Sequence, residues 1–358
     1  MSSLGRTLMR NEIACPNCGG KRCSIHWEGG ACDRCDGSGN WKERGENTCR
    51  SCDGGRKKPW VKCWKGGSYS LDASVAVNRP PLKPSSPRAK DERADLIYSA
   101  FLEGCYLSDD WRSHLQTERG LSDETIEQVG FITLPDQERC NALAAGLAKT
   151  YGPLIGVPGF YEVDGEWKFR RTLPPWESGL VIPYRNARGQ VVMLQVRSNG
   201  SDPKKRYMCI SGAPSFVSHA GTGSGAPCHW TPAVKAQTVG ITEGGLKAIG
   251  IAHHWQRLGY YPVRWVGLCG LTVPADFLGQ LQQAMPGVTQ LLFAFDREVK
   301  GSDAWRAVER AKKTLRDGAA KWGMRVCEEP GCWKGGARKF DDYLRGRDGR
   351  TTTERFSD

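Results

Sequence analysis

The feature that most constrains the fold is an alternation of apolar strand segments with helical segments between residues 238 and 327. TVGIT, VRWVGLCG, VTQLLFAFD and MRVCEE have strand character, and the segments between them, including a long helix from Ser302, have helical character. Such alternation is typical of a parallel, doubly wound α/β sheet, in which functional side chains gather at the carboxyl ends of the strands. We therefore expect an α/β domain over residues 233–345, followed by a tail at 346–358.

Two of these strands end in carboxylates. Glu243 follows the first strand and precedes two glycines, and Asp296 and Glu298 follow the third strand in FAFDREVKG. Side chains two positions apart in an extended segment face the same way, so Asp296 and Glu298 can reach one site. Carboxylates that leave coordination positions open suit Mg²⁺ or Mn²⁺, the ions of nucleotidyl-transfer and nuclease reactions. We expect the three acids to bind such an ion.

The chain before this domain divides into a linker, a helical part and a strand-rich part. Between residues 93 and 151 apolar positions recur at helical spacing, and the helix in LSDETIEQVGF is expected to begin after an N-cap at Ser122. Residues 154–218 carry the strand-forming runs LVIPYR and VVMLQVR. Residues 93–232 are thus expected to form a basic, mixed α+β part of the core, preceded by a proline-rich linker at 68–92.

Residues 1–67 contain eight cysteines and little hydrophobic periodicity, so this segment needs cross-links in order to fold. Six of the cysteines form three CxxC pairs, each of which places two thiolates on a tight turn that can bind a tetrahedral Zn²⁺. With four thiolates per ion, we expect a small zinc-binding module that holds about two Zn²⁺. The eight cysteines are Cys15, Cys18, Cys23, Cys32, Cys35, Cys49, Cys52 and Cys63.

Two assignments of the zinc ligands stay open. The glycines after the pairs, as in CPNCGG and CRSCDGG, resemble the CxxCxGxG module of the DnaJ co-chaperones. That resemblance implies one site made by the second and third pairs, and another made by the first pair, Cys63 and either Cys23 or His26. The alternative is a zinc ribbon formed by the first two pairs alone.

The charge of the chain favours a polyanionic partner. The formal net charge is +12 at pH 7, and basic side chains bind nucleic acids by neutralising phosphates and releasing counterions. Tryptophans alternate with lysines and arginines in the first 67 residues, a combination suited to stacking on unpaired bases and holding the backbone. We therefore expect single-stranded nucleic acid as a ligand.

The sequence also predicts a cytoplasmic location and no membrane partner. Apolar runs are too short to span a bilayer, and MSSLGRTLMRNE lacks the apolar core of a signal peptide. In a reducing compartment, clustered cysteines indicate metal binding rather than disulfides.

The two strand-acid-helix segments together resemble the TOPRIM domain. FAFDREVKGSDAWRAVERA is similar to the FDGDxAGxxAxxRAxE segment of DnaG-type bacterial primases, and GLVIPYRNARGQVVMLQVRSNGSDPKKRYMCIS resembles an upstream primase segment. The resemblance covers most of residues 1–345 in order, and primase zinc domains are of the ribbon type. It implies that Glu243 is the catalytic acid and that Asp296 and Glu298 are metal ligands.

The resemblance further implies a basic floor for template or nucleotide, formed by Arg197, Lys205 and Arg206. Two lysines depart from the family pattern. Lys247 stands where primases carry an aspartate in EGxxD, and in RKFDDYL Lys339 replaces the first acid of a DxD pair, which leaves Asp341 as a metal ligand. Fewer carboxylates predict fewer or weaker metal sites. Lys247 is expected to contact phosphates, as in the EGxxKA variant of mobile-element proteins.

These observations predict a DNA primase of a phage, plasmid or similar element, which makes short primers by metal-dependent nucleotidyl transfer. Its partners would be single-stranded DNA template, nucleoside triphosphates and an RNA or DNA primer, with a replicative helicase as a further candidate. Two alternatives stay open. One is a non-catalytic single-strand-binding accessory protein with a degenerate TOPRIM domain, and the other is a TOPRIM nuclease.

Metal analysis of the full chain, purified without chelator, tests the cysteine module. We expect about two Zn²⁺ per molecule, because each closed tetrahedral site uses four of the eight thiolates. A content of about one would indicate a single ribbon with spare thiols, and a zinc-free protein would rule the module out.

Overall fold

The computed structural model of this chain describes residues 87–163, 165–174, 176–200, 206–211, 221–334 and 336–348 in full, and before residue 71 the backbone of six short strands. The chain forms two compact units, one of residues 1–84 with 213–220 and one of residues 85–212 with 221–358.

The first unit contains β1 (Arg6–Leu8), β2 (Ser24–His26), β3 (Cys52–Asp53), β4 (Arg56–Lys57), β5 (Trp60–Lys62) and β6 (Ser68–Ser70). Strands β1, β2, β5 and β6 form an antiparallel sheet in that order, and β3 pairs with β4. Except for the backbone of Cys52, the eight cysteines expected to bind zinc lie outside the described residues. Zinc binding therefore stays a prediction.

The second unit begins with α1 (Asp91–Glu103), α2 (Asp109–Thr117), α3 (Asp123–Val129), β7 (Ile132–Thr133), α4 (Gln137–Tyr151), β8 (Phe160–Val163), β9 (Glu166–Phe169), β10 (Gly179–Arg185), β11 (Val191–Ser198) and β12 (Tyr207–Cys209). Strands β12, β11, β10 and β7 form an antiparallel sheet in that order, and β8 and β9 form a hairpin. Ile97, Tyr98 and Phe101 of α1 are fully buried in the core beside Val181 and Val196 of this sheet.

The unit continues with β13 (His229–Trp230), β14 (Thr238–Glu243), α5 (Gly245–Arg257), β15 (Val263–Leu268), α6 (Phe277–Ala284), β16 (Gln290–Phe293), α7 (Asp303–Lys321), β17 (Arg325–Cys327) and α8 (Phe340–Asp348). These strands form one sheet in the order β13, β15, β14, β16, β17. Strands β15, β14, β16 and β17 are parallel, and β13 joins the edge antiparallel. The α/β fold expected from the alternation is confirmed.

Local signals in the sequence place two helix starts correctly. The Ser122 hydroxyl accepts a hydrogen bond from the Thr125 amide at 3.3 Å, which confirms the N-cap expected for α3. The Ser302 hydroxyl accepts one from the Trp305 amide at 3.0 Å at the start of the long helix α7. Both caps satisfy amides that would otherwise lack an intrahelical partner.

The parallel sheet is covered on both faces because successive side chains of its strands point in opposite directions. On β16, Leu291 and Phe293 pack in the core with α6 and α7, whereas Leu292 packs in the core with α5 and α8. Gly240 is needed in β14, because a Cβ there would lie 2.2 Å from the ring of Trp265.

A tyrosine joins the antiparallel sheet to the start of α5. The buried Tyr184 hydroxyl accepts a hydrogen bond from the Gly245 amide at 2.8 Å and donates one to Gln195 Oε1 at 3.1 Å. Leu180, Ile182 and other side chains of that sheet share a core with Leu246 and Ile249 of α5. The start of α5 is thus held from both sheets. No helix among the described residues is long and apolar enough to span a membrane.

His229 predicts how unfolding depends on pH. It is 2% exposed, its Nδ1 accepts a hydrogen bond from the Arg185 amide at 3.3 Å, and burial together with the nearby Arg185 lowers its pKa to about 3. In the unfolded chain its pKa is about 6.5. The stability from neutral His229 is therefore fully present above pH 6.5, and it is lost as the pH falls toward 3.

Denaturant unfolding of wild type and His229→Gln between pH 8 and 4 measures this effect. We expect wild type to lose about 1.4 kcal/mol per pH unit more than the variant below about pH 6.5. Because both proteins contain the other histidines, the difference between their pH profiles reports the contribution of His229 alone. Parallel profiles for the two proteins would contradict the burial of a neutral His229.

Candidate active site

Glu243 is the last residue of β14, and glycines set the turn that follows it. Gly244 has φ +73°, a conformation that favours glycine, and its amide donates to Leu268 O at 2.7 Å. A Cβ at Gly267 would lie 2.3 Å from Gly244 O, so only glycine at this position of β15 lets the turn come so close. The Glu243 carboxylate is therefore held at the carboxyl edge of the sheet.

Asp296 reaches the same edge from the neighbouring strand. Beyond β16, the Ala294 amide donates to Ile241 O at 2.8 Å, and the Thr242 hydroxyl donates to Ala294 O at 2.8 Å. These bonds hold the extension of β16 beside the end of β14. The Arg297 amide donates to Arg338 O at 2.8 Å and fixes the loop that carries Asp296.

Lys247 lies between the two carboxylates. Its Nζ is 2.5 Å from Glu243 Oε1 and 2.6 Å from Asp296 Oδ1. The side chains of Lys247, Glu243 and Asp296 are only 14%, 26% and 11% exposed. Three charged groups thus meet in a largely buried cluster, which we call the acidic site.

The charges of this cluster shift one another's pKa. Burial raises the pKa of Asp296, a hydrogen bond with Glu243 raises it further, and together they outweigh Lys247 and bring it to about 6. Burial opposes ionisation of Glu243, but Lys247 and the hydrogen bond with Asp296 outweigh it and lower the pKa of Glu243. Burial also disfavours the Lys247 ammonium, yet the surrounding carboxylates raise the pKa of Lys247. Lys247 is therefore charged at neutral pH.

Two further acids border the acidic site. Glu298 pairs with Arg338 at 3.1 Å. Asp341, in the first turn of α8, is 8% exposed and pairs through Oδ2 with Arg119 at 3.3 Å. Its Oδ1 is buried and has no hydrogen-bond partner among the described residues. Burial raises the pKa of Asp341, against the opposing charges of Lys247 and Arg119.

The exposed Tyr207 and the half-buried Arg197 and His114 form, with the buried ring of Trp111 beside them, what we call the basic-aromatic surface. The Arg197 guanidinium hydrogen-bonds to His114 Nε2 and lies 5.7 Å from the centre of the Trp111 ring and 6.0 Å from that of Tyr207. Burial and the charge of Arg197 lower the pKa of His114 to about 4, so its ring is neutral. Tyr207 is 41% exposed and offers a ring for stacking.

Arg119 connects this surface with the acidic site. It forms an ion pair with Asp341, and its positive charge also acts on His114 and Arg197. The acidic site and the basic-aromatic surface are therefore neighbours within one compact unit. Arg206 is exposed next to Tyr207, and Lys205 lies outside the described residues.

The donor atoms suit a hard divalent cation, but only part of the site has room for one. Carboxylate oxygens are what Mg²⁺ and Mn²⁺ bind, and Asp341 Oδ1, which has no hydrogen-bond partner in the described part of the chain, could serve as a ligand atom. Between Glu243 and Asp296, however, the Lys247 ammonium fills the position that a shared ion would take. Those two carboxylates do not fit a common metal while these ion pairs are in place.

In another group of side chains, the possible ligand atoms lie close enough together to bind one metal ion. Among the described residues, one ligand atom from each of His253, His254 and Asp348 lies within 4.8 Å of the others. His254 is already engaged through both ring nitrogens, with Asp348 at 3.0 Å and Arg119 O at 2.9 Å. Its place in the fold is therefore explained by hydrogen bonds that join α5, α8 and the segment after α2.

Sequence reasoning did not identify Arg119, Trp111, His114 or Tyr207 as site residues. Trp111 and His114 lie three positions apart on α2. Residues at this spacing share a helix face, so the sequence could have predicted that these two rings lie side by side. Arg119 carried no signal, because its partner Asp341 is 222 residues away in the chain.

No protein-family model matches the chain, and no curated protein matches it. Similar solved structures include the zinc-binding and RNA polymerase domains of Aquifex aeolicus primase, at 15% identity and TM-score 0.46, with 78% of this chain and 60% of that chain covered. The RNA polymerase domain of Mycobacterium tuberculosis primase DnaG is 17% identical, with TM-score 0.46 and coverage of 72% and 82%. The E. coli primase catalytic core is 17% identical, with TM-score 0.42 and coverage of 75% and 79%.

Proposed function

We propose that this chain is a primase-type nucleotidyltransferase that builds primers on single-stranded DNA. One observation carries the proposal. Glu243 and Asp296 meet at the carboxyl edge of parallel strands, and through Asp341 and Arg119 they adjoin a surface on which a cation lies beside aromatic rings. A reaction between nucleic-acid strands and triphosphates needs both parts side by side.

The basic-aromatic surface would hold the template. Tyr207 offers a stacking face for an unpaired base, and Arg197 and Arg206 offer charge for the phosphate backbone. Lys205 would extend this surface. The zinc-binding module at residues 1–67 would add further stacking and basic side chains and would help to select the template.

The acidic site would carry the chemistry. A primer 3′-hydroxyl oxygen would bond to the α-phosphorus of an incoming nucleotide, the bond to pyrophosphate would break, and the hydroxyl proton would pass to a carboxylate, for which Glu243 is placed. Fixed cations such as Lys247 and Arg119 would stabilise charge on the phosphates. Bound Mg²⁺ or Mn²⁺, which Glu298 and Asp341 would hold, would add the same electrostatic stabilisation.

A second candidate function is favoured by one specific observation. Lys247 already occupies the position between Glu243 and Asp296, an arrangement also expected of a catalytic site that has lost its activity. The chain would then be a single-strand-binding accessory protein in replication, which uses the basic-aromatic surface alone. A role in phage or plasmid replication, with a helicase recruited as a partner, is compatible with both candidates.

Charge removal at the acidic site tests the catalytic proposal. Glu243→Gln and Asp296→Asn should each lower labelled-nucleotide incorporation on single-stranded DNA with Mg²⁺ or Mn²⁺ by on the order of 10²-fold or more. The double variant should be hardly worse than either single one, because the residues act as one unit. Template binding should persist in all three variants.

Asp317→Asn is the matched control, because Asp317 also pairs with a lysine one helical turn away but on an exposed helix face. It should keep full activity. If wild type incorporates no nucleotide with either metal and still binds template, the accessory-protein candidate replaces the catalytic one.

Template binding depends on Tyr207 in this account. Tyr207→Ala should weaken single-stranded DNA binding by about 1–3 kcal/mol, the usual contribution of one stacked base, and Arg197→Ala should also reduce the dependence of affinity on salt. Trp322→Ala removes another exposed ring, 52% exposed at the end of α7, and should have no effect. Equal affinities of Tyr207→Ala and wild type in a fluorescence-anisotropy titration would exclude this surface.

A further inference from the structure

We propose that the ammonium of Lys247 is the resident cation of the acidic site and takes the place of a divalent ion between Glu243 and Asp296. The Nζ atom lies 2.5 Å from one carboxylate and 2.6 Å from the other, so it bridges them as a metal ion would. What this cation would do in catalysis rests on the proposed function. Whether it takes the place of a metal ion is tested by metal binding alone.

Burial of the two carboxylates favours a positive charge at this position. Glu243 and Asp296 are 26% and 11% exposed, and they belong to strand ends held together by backbone hydrogen bonds. Two carboxylates that share such a site repel each other and have lost most of their hydration. A shared proton, a bound metal or a fixed positive side chain can compensate, and Lys247, at 2.5 and 2.6 Å from the two carboxylates, supplies the last of these.

The location of Lys247 on α5 supports the same conclusion. It is the third residue of the helix, where the N-terminal end of the helix dipole disfavours a positive charge. The first turn of α5 contains no acid, so the compensation comes from Glu243, before the helix, and from Asp296, in the loop after β16. A lysine placed against the local preference of the helix is held there by these two partners.

An ammonium on the chain also has an advantage over a metal ion from solution. Lys247 is carried to the carboxylates by the fold itself, so its binding costs no loss of translational freedom. Mg²⁺ would have to shed water, which it does reluctantly, and would have to displace the ammonium into a site that is only 14% exposed at Lys247. Divalent ions are therefore confined to the side of Glu298 and Asp341.

For the proposed reaction, this gives Lys247 a positioning role. It sets the orientation of Glu243 and Asp296 and presents a constant positive charge next to the phosphates. The catalytic requirement for divalent ions is then lower than for an acidic site without a lysine.

Replacing the lysine by an apolar chain of similar length frees the position. Lys247→Met in the zinc-loaded full chain should bind about one more Mn²⁺ than wild type in a titration followed by electron paramagnetic resonance, because two buried carboxylates without a cation make a new site. Mn²⁺ should also raise the melting temperature of Lys247→Met more than that of wild type. Lys313→Met, which breaks an exposed lysine–aspartate pair, is the control and should bind as many Mn²⁺ ions as wild type.

A second variant keeps the inference testable if Lys247→Met does not fold. In Glu243→Gln the lysine still pairs with Asp296, so the Mn²⁺ affinity should stay close to that of wild type. Marked loss of Mn²⁺ binding in Glu243→Gln would show that Glu243 holds the metal, and would overturn the inference. Equal Mn²⁺ stoichiometry in folded Lys247→Met and wild type would overturn it as well.

These outcomes are separate from those of the proposed function. A wild-type protein that incorporates no nucleotide contradicts the catalytic proposal and leaves the Mn²⁺ titrations unaffected. A wild-type protein that is active, but whose Mn²⁺ stoichiometry does not change in Lys247→Met, contradicts the inference alone.

Discussion

Two carboxylates carried by adjacent parallel strands meet in one largely buried site, and an ammonium lies between them. Lys247 supplies that cation at 2.5 and 2.6 Å from Glu243 and Asp296. These two ion pairs link the ends of β14 and β16 to the first turn of α5. The hydrogen bond from the Gly245 amide to the Tyr184 hydroxyl holds the same turn. The carboxyl edge of the parallel sheet, the start of α5 and a tyrosine of the antiparallel sheet thus meet at this cluster of charges.

The same cluster explains how distant parts of the chain reach one site. Asp341 brings α8 to the acidic site and pairs with Arg119, which follows α2. His254 on α5 adds hydrogen bonds to Arg119 O and Asp348. An acidic region thereby meets the basic-aromatic surface built around Arg197. In the proposed function, the positive side chains would hold a phosphate backbone beside the carboxylates.

Sequence reasoning succeeded where the signal was local. Alternation of apolar residues predicted the parallel sheet, the acids after strand ends were expected at its carboxyl edge, where Glu243 and Asp296 lie, and the N-cap at Ser122 predicted the start of α3. It identified Lys247 as a departure and expected a phosphate contact, but it did not predict the ion pairs with the two carboxylates. The ion pair with Asp296 joins residues 49 positions apart across the sheet, and that with Glu243 crosses a strand-to-helix turn. Such contacts follow from tertiary packing, so neither pattern nor propensity predicts them.

The most direct test of the Lys247 account is an anomalous diffraction map of wild-type crystals grown with Mn²⁺, recorded at the manganese edge. We expect clear density for the Lys247 side chain between Glu243 and Asp296 and no anomalous peak at that position. Manganese bound to Glu298 or Asp341 would be compatible with this account. An anomalous peak shared by Glu243 and Asp296, with the Lys247 side chain turned away, would contradict it.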